Sequence, residues 1–421
     1  MERIKAQTAD RESDRGLLKT IVTSAANNYP VPGAVVSIAS MEDPEQILEE
    51  VSTDSTGQTQ EVEVRTPPFE YSQEAGEPRP YAELKLRVTA PGFEPMDIDG
   101  TEVLPERTAI QEVRLKPVEE GGRPGEVDIP DHTLYGTYPP KIAEDEVKRV
   151  IGSGEIVLSR VVIPETIIVH DGVPQNASAA DYYVPYRDYI KNVASSEIYA
   201  TWPQSTIIAN VLAIMSFTLN RVYTEWYRNK GYDFTITSST AYDQKWIYGR
   251  NIFESISEVV DEIFDQYLSR PDVKQPILTQ YCDGKRVSCP NWMSQWGSKG
   301  LGDQGYTPIE IIRYYYGDEM YINSAEQIAG IPASWPRYDL TVGSSGDKVR
   351  QMQEQLLTIS GVYTLIPAVT PSGYYDEATA DAVEAFQGIF GLPKTGVTDF
   401  ATWYKISQIY VGITRIGELN P

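Results

Sequence analysis

The sequence predicts a multidomain α+β protein, and three observations carry that reading. Residues 17–117 alternate apolar and charged side chains, as in Leu84, Lys85, Leu86, Arg87 and Val88, which is the period of strands with one buried face. Residues 161–325 carry two apolar stripes at helical spacing. Between them the composition shifts to Glu119, Glu120, Gly121, Gly122, Arg123, Pro124 and Gly125, followed by Pro130, Pro139 and Pro140, a mix that buries little apolar surface.

Taken in order, residues 1–16 alternate charges (Glu2, Arg3, Lys5, Asp10, Arg11, Glu12, Asp14, Arg15) with no apolar run, and read as a disordered N-terminus without a signal peptide. A chain of this kind is expected to be made in a cytoplasm. Residues 17–117 form a small β-sandwich. Residues 118–160 form a linker, with a short helix around 144–150. In the central unit, 161–325, Ile207, Val211, Met215, Leu219, Val222 and Trp226 mark a first helix, with Pro203 just ahead of it where a missing N–H does no harm. Ile256, Val259, Val260, Ile263, Phe264 and Tyr267 mark a second. Its other side, Glu254, Glu258, Asp261, Glu262 and Asp265, reads as a solvated face. Residues 338–412 form a last unit.

A formal charge of -24 excludes a nucleic-acid partner, because neutralising a polyanion needs a basic stripe. No apolar run approaches the ~18 residues of a membrane span. The 28 Tyr against 9 Phe fit a protein that stacks sugar rings, though solvent-facing strands also favour Tyr. Two cysteines are too few for a disulfide scaffold.

Two blocks carry the chemistry. The first is Tyr189, Ile190, Lys191, Asn192, Val193, Ala194, Ser195, Ser196 and Glu197, followed by Trp202 and Pro203; the second, 292–306, is rich in glycine and aromatics, as ligand-touching loops often are. Together they resemble the SpoIID family, whose members cleave the glycan strands of bacterial peptidoglycan as lytic transglycosylases. The resemblance implies that Glu197 is the carboxyl that protonates the leaving oxygen and then takes the proton of the C6 hydroxyl. It implies sugar contacts at Ser294, Gln295 and Trp296, which fall in the family's Ser-Gln-Trp-Gly motif. Asn192, Asn210, Ser238 and Tyr242 sit where the family keeps polar groove residues, with Trp202 beside them. The chain departs from the family at Ser195, where Pro is usual, and at Ile208 and Met215, where Lys and Arg are common; Lys191, Arg221 and Lys299 are the candidate replacements. Some members bind zinc through two Cys and a nearby His. Here only His132 and His170 exist, neither close in sequence, so Cys282 and Cys289 are read as a disulfide or free thiols, and no metal or other cofactor is expected.

Other segments resemble known modules. The stretches 31–36, 53–57 and 88–93 are similar to the transthyretin-like, carboxypeptidase-regulatory sandwich. Residues 340–397 resemble the small helical peptidoglycan-binding domain, with Val349, Leu356, Val383 and Phe386 as core and Gln353, Tyr374, Asp376 and Gln387 as the candidate contacts. The order of parts resembles the clostridial SleC-type spore cortex-lytic enzymes. That resemblance implies a zymogen made in the mother cell and stored in the cortex or coat region of the spore. It also implies cortex peptidoglycan as substrate and a subtilisin-like germination protease as the partner that cuts within 118–160. The other reading is a non-catalytic wall-binding protein that presents glycan to another hydrolase.

Overall fold

The computed structural model describes residues 13–76, 78–119, 121–132, 134, 161–271, 275–285, 289, 292–330 and 334–415. The N-terminal strands pair into two sheets. One takes β2 (Val35–Ser40), β3 (Asp43–Ser52), β5 (Ala82–Thr89), β6 (Met96–Val103) and β8 (Gly125–Asp128) in the order β3-β2-β5-β6-β8. The other holds β1 (Asp14–Ser24), β4 (Val62–Thr66) and β7 (Thr108–Leu115), with β1 parallel to β7 and antiparallel to β4. Alternate side chains such as Leu18, Val22, Leu84, Leu86, Val88 and Val113 fill the space between the sheets, as the period of two requires.

Two boundaries differ from the sequence reading. The first strand begins at Asp14, inside the stretch read as disordered. Strand β8 occupies part of the expected linker and runs parallel to β6, so the chain stays bound to the sandwich until Asp128. The rest of that linker, 135–160, with the proposed short helix and most of the proposed cleavage region, lies outside the described residues.

The central unit is built on α1 (Tyr186–Glu197) and α2 (Gln204–Tyr223), joined by the turn through Trp202 and Pro203. Pro203 caps α2, and Ile207, Val211, Met215 and Leu219 are buried as the stripe predicts, while Trp226 lies beyond the helix end. By length and composition α2 could cross a membrane, but 83% of its apolar window is buried inside the protein, as in a core helix. Next come β13 (Ile252–Phe253) and α3 (Glu254–Ile263); Tyr267 falls in the following strand, β14 (Gln266–Ser269).

The expected solvated face of α3 is not uniformly solvated. Asp261 is buried, with Lys191 Nζ at 2.7 Å and Arg187 Nη1 at 3.1 Å. Burial alone would raise its pKa, but Lys191, Lys405 and Arg187 outweigh that and hold the carboxyl well below the usual range. Arg187 Nη2 also donates to Tyr404 O of the C-terminal unit at 3.1 Å. One buried carboxylate therefore ties α1, α3 and the last helix together.

Strand β13 pairs antiparallel with β7, Ile252 opposite Ile110 and Phe253 opposite Ala109, so the sheet of the N-terminal sandwich continues into the central unit. The glycine-rich block differs from the loop it was read as, because it forms α4 (Gln295–Asp303), followed by α5 (Pro308–Tyr316). The glycines there permit close packing: a Cβ on Gly302 would come 2.1 Å from Thr206 Oγ1 of α2, and one on Gly297 would come 2.2 Å from Tyr315 Oη.

The C-terminal unit is three helices, α6 (Asp347–Ser360), α7 (Glu377–Ile389) and α8 (Phe400–Thr414). Asp376 and Asp399 cap the latter two by accepting Thr379 N–H at 2.9 Å and Thr402 N–H at 2.8 Å. Val349, Leu356, Val383 and Phe386 are fully buried at its centre. Each large aliphatic or aromatic side chain removed from water in this way contributes roughly 1.5–3 kcal/mol.

Candidate active site around Glu197

Glu197 is the last residue of α1, and the chain leaves the helix through Ile198 in extended conformation. The residue is only 7% exposed. One oxygen, Oε1, accepts the backbone N–H of Lys245 at 2.7 Å, and Oε2 accepts Gln295 Nε2 at 3.4 Å. The Tyr281 hydroxyl is hydrogen-bonded to it as well. Donors thus reach the carboxyl from three segments distant in sequence, and none of the three would orient it alone.

Of the motif residues, Gln295 touches Glu197 directly. Ser294 caps α4 by accepting Gly297 N–H at 2.9 Å. Trp296 stands beside Trp202, ring centroids 4.8 Å apart, and Tyr199 lies edge-on to both. These aromatic rings lie two and five residues past Glu197 on one side and one residue past Gln295 on the other.

Other expected contacts have structural partners. Asn192 clasps the Lys245 loop, donating to Ile247 O at 2.7 Å and accepting Ile247 N–H at 3.0 Å. Asn210 donates to Thr206 O and Ser298 Oγ, both at 2.9 Å, pinning α4 to α2. Ser238 donates to Asp171 at 2.8 Å and Tyr242 to Gln175 at 3.3 Å on the half-buried rim. The candidate replacement cations are ion-paired: Lys191 with Asp261, Arg221 with Asp243 and Lys299 with Asp303, each at 2.7 Å. Ser195, the departure from Pro, offers its hydroxyl to Phe253 N–H at 3.3 Å and its carbonyl to Arg250 at 2.8 Å.

Cys282 and Cys289 are joined in a disulfide. Neither sulfur is then a thiolate ligand, His132 faces Glu102 and His170 faces Asp181, so these residues are not brought together as a two-Cys, one-His zinc set.

The residues that sequence reasoning missed come mostly from the N-terminal part. Ser72 O accepts Trp202 Nε1–H at 3.0 Å, and Arg107 Nε donates to Ala200 O at 2.8 Å. Glu102, on β6, receives Arg250 Nη2 at 2.6 Å and lies 3.2 Å from His132 Nδ1, all three side chains being buried. The segment after β8 then crosses the site. Lys245 Nζ donates to Asp131 O at 3.0 Å, Tyr199 Oη donates to His132 O at 3.4 Å, and Trp296 Nε1 donates to Leu134 O at 3.0 Å. Leu134 itself is buried. Burial pushes the Lys245 ammonium down to about 8, and Arg250 adds to that. No local motif marks Lys245, Tyr281 or Leu134, since what they share is position in the folded chain.

In the C-terminal unit, Gln353 donates to Tyr374 O at 2.9 Å and Thr379 Oγ1 at 3.0 Å, while Gln387 accepts the N–H groups of Thr395 and Gly396 at 2.8 and 2.9 Å. Both amides are fully buried, and with the cap at Asp376 they serve as internal scaffolding. Of the four expected contacts, Tyr374, at 52% exposure, and Asp376 face solvent, and Tyr374 is the one whose side chain is not engaged in capping a helix.

Comparison with known proteins supports this unit specifically. Residues 345–406 match the family model of a peptidoglycan binding domain. The chain therefore carries a peptidoglycan-binding domain at its C-terminal end, which associates it with the bacterial cell wall and makes peptidoglycan a partner. No curated protein matches the chain. Solved structures with partial likeness include the Bacillus anthracis TIE protein (16% identity, 25% of this chain and 17% of that one, TM-score 0.18). They also include an Acinetobacter radioresistens catechol 1,2-dioxygenase mutant (15%, 27% and 58%, TM-score 0.18) and the Streptococcus agalactiae minor pilin GBS52 (12%, 27% and 49%, TM-score 0.19). The chain spans well under two thirds of each of them, and likeness at that level carries no argument about function.

Proposed function

We propose that the chain is the zymogen of a spore cortex-lytic enzyme, a lytic transglycosylase that cleaves the glycan strands of cortex peptidoglycan during germination. The supporting observation is the buried Glu197, held by Lys245 N–H, Gln295 and Tyr281, in a site whose Lys245, Tyr199 and Trp296 are in turn hydrogen-bonded to Asp131, His132 and Leu134 of the N-terminal part. In the reaction Glu197 gives its proton to the glycosidic oxygen as the C1–O bond breaks, and the resulting carboxylate takes the proton of the C6 hydroxyl as that oxygen bonds to C1. The product is a 1,6-anhydro-muramic end, and no water is consumed. Acid-base assistance of this kind supplies ~10² to 10⁴ of rate, with positioning and charge stabilisation supplying the rest.

The bonds from Asp131, His132 and Leu134 to the site support storage in an inactive form, in which releasing that contact opens Glu197 to glycan. In this reading a subtilisin-like protease cuts between the sandwich and Val161, and the C-terminal domain keeps the enzyme on the wall. The test compares the intact full-length chain with the same chain after limited proteolysis of that region, both on purified cortex. Release of anhydro-muramic fragments by the cut form alone is expected; equal release by both would overturn the inhibitory role.

The commitment of Asn192 and Asn210 to structural bonds, with Lys191, Arg221 and Lys299 already ion-paired, favours a second reading. There the protein binds glycan and presents it to another hydrolase, and neither form would release new ends.

A further inference from the structure

Gln244 sits beside Lys245 at the floor of the site, fully buried, and its orientation is fixed by its partners. Its Nε2 lies 3.1 Å from Ile214 O, a carbonyl that can only accept, so that end is the amide nitrogen. Its Oε1 accepts the Tyr189 hydroxyl at 2.9 Å and the Thr218 hydroxyl at 2.8 Å. The second N–H of Gln244 points at the Tyr281 oxygen, 3.1 Å away. Tyr281 thus accepts from Gln244, and the one proton it owns remains for its other partner, Glu197.

We propose that Tyr281 is a positioning residue for Glu197, the end of a one-way hydrogen-bond relay that runs from Tyr189 and Thr218 through Gln244 and Tyr281 to the carboxyl. This rests on the reading of Glu197 as the acid and base. The relay gives Glu197 a donor that cannot turn away, because every upstream group is buried and already oriented. Burial, with Glu197 adding to it, keeps the Tyr281 phenol well above its usual pKa, so the donor stays protonated throughout the working range. It also places the relay at the root of the disulfide, since Tyr281 precedes Cys282 in β15 (Tyr281–Cys282), which pairs with β16 (Met293–Ser294) just before Gln295.

The other titratable or charged groups about Glu197 are Tyr189 and Lys245, with Asp131, Glu102, His132 and Arg250 grouped around Lys245. The Tyr281→Phe variant leaves all of them in place and removes the donor to Glu197, together with the oxygen that accepts from Gln244.

The experiment is a pH titration of the side-chain carboxyls by ¹³C NMR in the full-length chain, the Glu197 signal being the one lost in Glu197→Gln. Tyr281→Phe is expected to raise the proton affinity of Glu197 by about threefold or more, because the charged form loses a hydrogen bond. An unchanged midpoint in a folded variant would overturn the proposal. Should that variant not fold, the unmodified chain labelled at tyrosine Cζ decides: one tyrosine signal is expected to step at the pH where Glu197 takes up its proton, and to lose that step in Glu197→Gln. The absence of such a step would also overturn it. Neither readout depends on turnover, so an inactive protein with an intact relay would refute the proposed reaction and leave the relay standing.

Discussion

The C-terminal domain and the Glu197 site use buried polar groups in opposite ways. The buried amides Gln353 and Gln387 bond within their own unit, and Asp376 and Asp399 cap its helices, so the interior of that domain is closed on itself even though Arg187 reaches Tyr404 O at its edge. Around Glu197 the partners are borrowed: Ser72, Glu102, Asp131, His132 and Leu134 of the N-terminal part meet Trp202, Arg250, Lys245, Tyr199 and Trp296 of the central part. A module built on internal bonds can be moved between proteins. A site built on borrowed bonds changes state when the lender leaves.

The largest expected effect comes from cutting the strongest loan. Arg250→Ala takes from buried Glu102 its ion-pair partner and leaves only the hydrogen bonds of His132, and breaking a buried pair this way costs about 3–5 kcal/mol. Urea unfolding should show the sandwich and the central unit losing stability together; an effect confined to one of them would break the comparison. Gln387→Leu is the counterpart in the interior of the C-terminal domain. It removes donors and acceptors for Thr395, Gly396 and Val397 and should cost roughly 1–3 kcal/mol. Hydrogen exchange should accelerate in α6 to α8 while the amides around Glu197 stay protected.

Acid should act on the borrowed site as well. Burial, with Arg250, depresses His132 from its ordinary 6.5 to about 4 against the pull of Glu102. Burial would raise Glu102, but Arg250 and His132 hold it at about 2, below its ordinary 4.5. Both groups bind protons less readily in the folded chain than in the unfolded one. Their contribution to stability is therefore complete above about pH 6.5 and is lost as pH falls, His132 toward 4 and Glu102 toward 2. Thermal unfolding of the unmodified chain should fall across that window more steeply than that of the double variant Glu102→Gln with His132→Gln, which titrates at neither place; parallel profiles would count against the clasp. The smallest change in stability belongs to Tyr374→Ala, within about 0.5 kcal/mol for an exposed side chain. Co-sedimentation with purified peptidoglycan should nevertheless weaken if that face carries the contact.

The same contrast explains what could be read from the sequence. The period of two in Leu84, Leu86 and Val88 and the stripe of Ile207, Val211, Met215 and Leu219 encode which face is buried, and the strands and helices follow. The peptidoglycan-binding unit was legible because its motif residues fold on one another. Glu197 was reached by resemblance. Its surroundings were not legible, since Glu102 and Arg250 stand 148 positions apart and only packing of two domains joins them. Asp261 misled for the same reason: its helix alone reads as an acidic solvated face, and the cations that bury it come from α1 and α8.

The most direct test of the account is mass spectrometry of fragments released from purified cortex by the proteolytically cut chain, beside its Glu197→Gln twin treated identically. Anhydro-muramic ends from the first and none from the second are the predicted result. Cortex left intact by both, despite binding through the C-terminal domain, would contradict the account.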